Sequence, residues 1–269
     1  MPLLTTSALD LTHTLPPEGT VMPATAQLVT TVVYGLAGLV FVAYAIVLAK
    51  RERSALPLLL LFGSMTTLYL EPIVDVLGNA MHPVEGQYNV LTTNGHPVPL
   101  AVLVGYIWYF AALPLMCYSM MKQRTLNQAF VWKSFAAVVL SAALVEQIPL
   151  HFGVWIYYGE QPFKIGYIPA WWCFANTAAV LVPFLLIYGL MPKLTGLRSL
   201  LVPAIMPCGA FMGHAASGWP MYNALGIDTV NAPDGLLPLA SVASIAFSIM
   251  IVWVVMEMQG IPRRKETDV

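Results

Sequence analysis

Charge is what this sequence has little of. Of 269 residues, 9% are Asp, Glu, Lys or Arg and 58% are hydrophobic, where a soluble domain carries about a quarter charged residues. That shortage excludes an ordinary water-soluble globular protein. Cysteine is scarce as well: Cys117, Cys173 and Cys208 are odd in number, show no CxxC spacing and all fall in apolar segments. They read as small packing residues, with no disulfide framework and no thiolate metal site. A net charge of -1 without a basic amphipathic stretch argues against nucleic acid as a partner. The chain also lacks an HExxH or HxxxH spacing, a DDxxD motif for magnesium diphosphate and the His boxes of di-iron oxygenases. Its last apolar segment has no lysine for a retinal Schiff base. From these absences we expect no metal and no other cofactor.

What is present is apolar sequence in lengths that match a bilayer. Windows of about twenty residues find seven segments, at 26–49, 55–78, 98–121, 130–150, 170–191, 199–220 and 236–257. Backbone in lipid must satisfy its own hydrogen bonds, so each segment is expected to be helical. The expected fold is all-α, a polytopic seven-transmembrane-helix bundle. Its parts are an outer N-terminal segment (1–25), one membrane domain (26–258) and a basic cytoplasmic tail (259–269). Lys50, Arg51, Arg53, Lys122, Arg124, Lys133, Lys193, Arg198, Arg263, Arg264 and Lys265 mark the connections and tail on one side. Lys164 is the only basic residue in the other loops. The positive-inside rule then puts the N-terminus out and the C-terminus in, with the cell membrane as the expected location. The first helix is expected to be its own insertion signal, because a basic n-region and short apolar core are missing.

A few polar residues interrupt the apolar runs. Glu71 and Asp75 in segment 2, Glu146 in segment 4, Asn176 in segment 5 and His214 in segment 6 each lie roughly 5 to 10 Å below the outer surface at 1.5 Å per helical residue. A charged group in a membrane helix costs at least about 2.5 kcal/mol on insertion scales, so each is a site hypothesis. Glu71 and Asp75 are i and i+4, on one helix face, and Pro72 frees a carbonyl one turn back. A carboxyl desolvated beside another is suited to donating a proton. The alternatives are structural. The acids can hydrogen-bond across helices, Glu146 can reach interfacial water beside Pro149, and His214, following Gly209-x-x-x-Gly213, can be a packed core residue. His82, His96 and His151 fall in the outer loops without metal-ligand spacing. Those loops, 79–97, 151–169 and 221–235, are long and rich in Gly, Pro and aromatics, as functional loops are. Trp171, Trp172, Tyr157 and Tyr158 serve either as interface anchors or, if the loops fold inward, as the lining of a cavity that shields positive charge. No repeat relates the first and last three segments, which weakens a transporter plan.

Three stretches, "EPIVDVLGNAMHPVEGQY", "NGHPVPLAVLVGYIWYF" and "YYGEQPFKIGYIPAWWCFANT", within residues 55–220, resemble the AveC-like family of integral membrane proteins, named after the avermectin spirocyclase. The resemblance implies a membrane cyclase or dehydratase that closes spiroketal rings on a polyketide, and it carries over no catalytic residues. In architecture the chain is also similar to the small integral membrane terpene cyclases. The function expected is metal-independent acid-base cyclisation of a lipophilic polyketide or isoprenoid taken from the bilayer. Glu71 would be the acid, Asp75 its partner and Glu146 a second carboxylate. Asn176 and His214 would orient substrate oxygen. The alternative is a small proton-coupled carrier, or a lipid-binding membrane protein without chemistry.

Overall fold

A computed structural model describes residues 14–227 and 233–263. Parts of the expected outer segment (1–13), the last outer loop (228–232) and the basic tail (264–269) lie outside the described residues.

Among the described residues the chain is helical apart from three two-stranded ladders. Helix α1 spans Ala24–Glu52; the second segment is α2, Leu56–Thr66, a 3-10 turn, Thr67–Leu70, and α3, Glu71–Gly78. The expected disturbance at Pro72 is this turn: proline has no N–H for the Leu68 carbonyl a turn back, and the Glu71 N–H donates to it instead. Strands β1, Ala80–Met81, β2, Asn89–Thr93, and β3, His96–Pro99, follow. The β2–β3 hairpin turns at Asn94 (φ 49°) and Gly95 (φ 74°), the pair that a tight turn with two positive φ values favours.

The third apolar segment is not one helix. It is α4, Leu100–Tyr106, then turns, then α5, Ala112–Met116, and α6, Tyr118–Gln123. The cause lies on α2. The Ser64 hydroxyl donates to Tyr106 O at 2.5 Å and accepts from Phe110 N at 3.1 Å. It stands in the place of the i to i−4 bond between those residues, an insertion known to break helices. Pro114 removes a further donor. Among the described residues, six helical stretches are therefore long and apolar enough to cross a membrane: Ala24–Glu52, Leu56–Gly78, Gln128–His151, Ala170–Lys193, Gly196–Leu225 and Leu236–Met258. This is an all-α membrane-type chain; the seven continuous helices expected from hydropathy become six plus a broken segment.

The remaining elements are α7, Gln128–Val145, α8, Gln147–His151, β4, Ile156–Tyr157, β5, Lys164–Ile165, β6, Ile168–Pro169, α9, Ala170–Leu190, α10, Val202–Leu225, and α11, Leu236–Met258. Helix α9 is the axis of the bundle and packs against α7, α10 and α11; 16 of its 21 residues are buried, against 5 of 29 on peripheral α1. The expected close approach at Gly209 and Gly213 is made against α9. A methyl group at Gly209 would meet the backbone of Pro183, and one at Gly213 the Ala178 carbonyl.

The two ends of the bundle differ. At one end the Lys122 amine is 2.7 Å from Glu52, and the Arg124 guanidinium sits 3.7 Å over the Tyr188 ring. Gln128 donates to Glu257 there at 3.0 Å. At the other end the loops interlock. β1 pairs antiparallel with β4, and Gln27 of α1 donates to Gly86 O and accepts from Tyr88 N, both at 2.9 Å.

Candidate functional site

Beneath the interlocked loops lies a cavity of about 120 Å³. All five polar residues singled out from hydropathy line it: Glu71, Asp75, Glu146, Asn176 and His214. Among the described residues no Lys or Arg lines it, and nine aromatic side chains do.

The carboxylates divide into two groups. On α3, Glu71 Oε2 accepts from the Tyr106 hydroxyl, while Oε1 lies 3.3 Å from His82 Nε2. The same Nε2 is 3.5 Å from Asp75 Oδ2. Side-chain exposures of 16%, 13% and 7% for Glu71, Asp75 and His82 place this trio largely out of solvent. Opposing it is Glu146, at the junction of α7 and α8. Its Oε2 accepts from Tyr157 Oη at 3.0 Å and Trp155 Nε1 at 3.3 Å, and its Oε1 from Asn176 Nδ2 at 3.3 Å. Glu146 thus has three protein partners in the cavity.

The β1–β4 ladder supplies both groups. Pairing Ala80 with Tyr157 and Met81 with Ile156 brings His82, just after β1, within 5.9 Å, ring to ring, of Trp155, just before β4. Burial alone works against a charged His82, but its hydrogen bond to Glu71 and the charges of Asp75 and Glu71 outweigh it and raise its pKa above the ordinary value. Burial, followed by the Glu146 charge, pushes the Tyr157 phenol well above its ordinary range, so it remains a donor.

His214 is 3% exposed. Its Nδ1 is hydrogen-bonded to the Tyr222 hydroxyl, its ring meets Trp172 edge-on at 5.1 Å, and Nε2 has no partner. The Tyr109 hydroxyl, on the same cavity, also lacks one.

Two expected lining residues are elsewhere. Trp172 lines the cavity but Trp171 does not: neighbours on a helix point about 100° apart, and Trp171 is fully buried with its Nε1 donating to Gln161 Oε1 at 3.0 Å. Tyr157 lines the cavity while Tyr158 faces a second, outer cavity of about 320 Å³, as alternation along extended chain requires. Glu71, Asp75, Ala80 and His82 line both cavities and form the partition between them.

The sequence reading sets His82 aside as a loop residue and misses Trp155, Tyr106 and Tyr109. Neutral aromatics inside apolar runs carry no insertion penalty to flag them, and the loop residues reach the site only through the ladder. As for a metal, Glu71, Asp75 and His82 each offer a ligand atom, all within 4.8 Å of one another. Comparison with protein-family models, with curated proteins and with solved structures finds no match for this chain.

Proposed function

We propose that this protein is a membrane-embedded cyclase or dehydratase acting on a lipophilic polyketide or isoprenoid, of the spirocyclase-like kind that its resemblance to the AveC-like family implies. One observation carries the reading: three carboxylates on two walls of an aromatic cavity, with no Lys or Arg among the lining residues. Such a site favours a positive centre twice over, through the acids and through aromatic faces. A proton from the Glu71–Asp75 wall goes to a substrate oxygen or alkene. An internal hydroxyl or alkene closes on the resulting cation. The proton that ring closure releases goes to the opposing Glu146. Asn176 and His214 orient substrate oxygen; Trp172 and Tyr157 flank the cation and keep water away.

Cavity size narrows the substrate's pose. An apolar cavity of about 150 Å³ holds one benzene, so about 120 Å³ accommodates the reacting end of a long lipid, with its remainder between helices. We place the broken α4–α6 segment as the seventh crossing, and the basic end of the bundle in the cytoplasm of a cell whose plasma membrane holds the protein.

The test compares lipid-soluble metabolites of a host expressing wild type, Glu71→Gln or Glu146→Gln at equal protein levels. Removing a proton donor or acceptor is worth about 10²- to 10⁴-fold, so both variants should lose a cyclised product that wild type adds. A wild-type profile identical to that of the empty host, with lipid still bound by the purified protein, sinks the enzyme reading in favour of a carrier or lipid-binding protein.

A further inference from the structure

We propose that Glu71, Asp75 and His82 bind one divalent transition-metal ion, reached from the outer cavity and open toward the inner one. This goes beyond the metal-free chemistry expected from the sequence. It rests on the enzyme reading only for the use made of the ion.

The separations are the first argument. Ligand atoms about 2.1 Å from a common ion in tetrahedral array stand about 3.4 Å apart. Here His82 Nε2 is 3.3 Å from Glu71 Oε1 and 3.5 Å from Asp75 Oδ2. The His82–Glu71 hydrogen bond is longer than the about 2.7–2.9 Å of a close charge-assisted pair. Both separations from His82 match those of ligands around a shared centre, and the two carboxylates lie within 4.8 Å of each other.

The positioning of the ligands is the second, although His82 Nδ1 has no partner. The i, i+4 spacing keeps both carboxylates on one face of α3, and the β1–β4 ladder fixes the backbone leading into His82. The Tyr106 hydroxyl engages Glu71 through Oε2 and leaves Oε1 for the trio, the kind of outer hydrogen bond that orients metal ligands.

The third argument is independent of the trio. His214 Nε2 and the Tyr109 hydroxyl are buried, without partners, and line the cavity onto which the trio opens. A buried polar atom left unpaired costs about 1–3 kcal/mol, and a ligated water or substrate oxygen in this cavity gives both atoms a partner. Charge agrees: a divalent ion neutralises two carboxylates that face no Lys or Arg among the lining residues. The imidazole suits zinc or iron and the carboxylates manganese, whereas magnesium and calcium favour sites made of oxygen alone. In use, the ion would acidify a bound water that supplies the proton to substrate oxygen, and Glu146, which takes the proton released on ring closure, would return it to that water. The acid stays on the Glu71–Asp75 wall.

The experiment uses the full chain in detergent micelles, stripped with chelator and titrated with Zn²⁺, Mn²⁺ and Mg²⁺, with bound ion measured by elemental analysis after gel filtration. Wild type should retain about one Zn²⁺ or Mn²⁺ per chain and gain thermal stability with it, and Mg²⁺ should do neither. Asp75→Asn and His82→Ala should bind at least about 100-fold more weakly, and Tyr106→Phe about 10- to 100-fold more weakly. Glu146→Gln should bind as wild type does, which separates ion binding from catalysis. Gel-filtration profiles matching wild type establish that the variants are folded. No stoichiometric Zn²⁺ or Mn²⁺ in folded wild type overturns the site, as does equal retention by wild type and the doubly substituted Asp75→Asn/His82→Ala protein. If the ion binds but no product is made, the site stands and the enzyme reading falls.

Discussion

Gly78 ends α3, and a methyl group there would run into the six-membered ring of Trp172. Overpacking of this kind costs about 1–3 kcal/mol, so Gly78→Ala should lower the melting temperature in detergent and, by displacing Trp172 from the cavity wall, alter tryptophan fluorescence. Gln161 shows the opposite situation. Its amide donates to Gly78 O at 3.0 Å and accepts from Trp171 Nε1 at 3.0 Å, tying the second loop to α3 and α9. Gln161→Ala strands a buried indole N–H, at about 1–3 kcal/mol, and thermal unfolding of the two proteins side by side measures it. At this scale the sequence was informative where polarity was costly. Glu71, Asp75, Glu146, Asn176 and His214 could be named because a bilayer penalises them, and all five reach one cavity. Trp171 and Tyr158 could not be separated from their neighbours, because which of two adjacent residues faces a cavity depends on the rotation of its element.

Breaks in the elements matter as much as the elements. Pro72 announces the 3-10 turn before α3, but nothing in "LAVLVGYIWYFAALPLM" announces that a serine 42 residues earlier will enter its hydrogen-bond ladder. Ser64→Ala should leave the Tyr106 carbonyl and the Phe110 N–H without partners and destabilise the protein by about 1–3 kcal/mol, a loss visible as a lower melting temperature. Because Tyr106 lies at this break and holds Glu71, the same substitution should weaken whatever the Glu71 trio binds. The glycines of α10 were legible as a close-packing signal; that their partner is the α9 stretch around Ala178 and Pro183 was not.

Across the whole molecule, the carboxylate cavity and the basic helix ends lie at opposite ends of one bundle, which the proposed orientation would put outside and inside respectively. In a chain freed of Cys117, Cys173 and Cys208, a cysteine at exposed Asn94 should react with a membrane-impermeant maleimide on intact cells, and one at exposed Thr195 only after permeabilisation. The reverse pattern would overturn the orientation. The sequence by itself determined that this chain belongs in a membrane, that it is helical, and that a polar layer lies near one end. Those properties follow from the bilayer's thickness and its penalty on charge, which act on each segment separately. Only the tertiary structure decided that His82 and Trp155 join that layer, that Tyr106 fastens Glu71, and that the third segment breaks. Each of those depends on a two-residue ladder or a single hydroxyl from a distant part of the chain, and such contacts leave no periodicity to read.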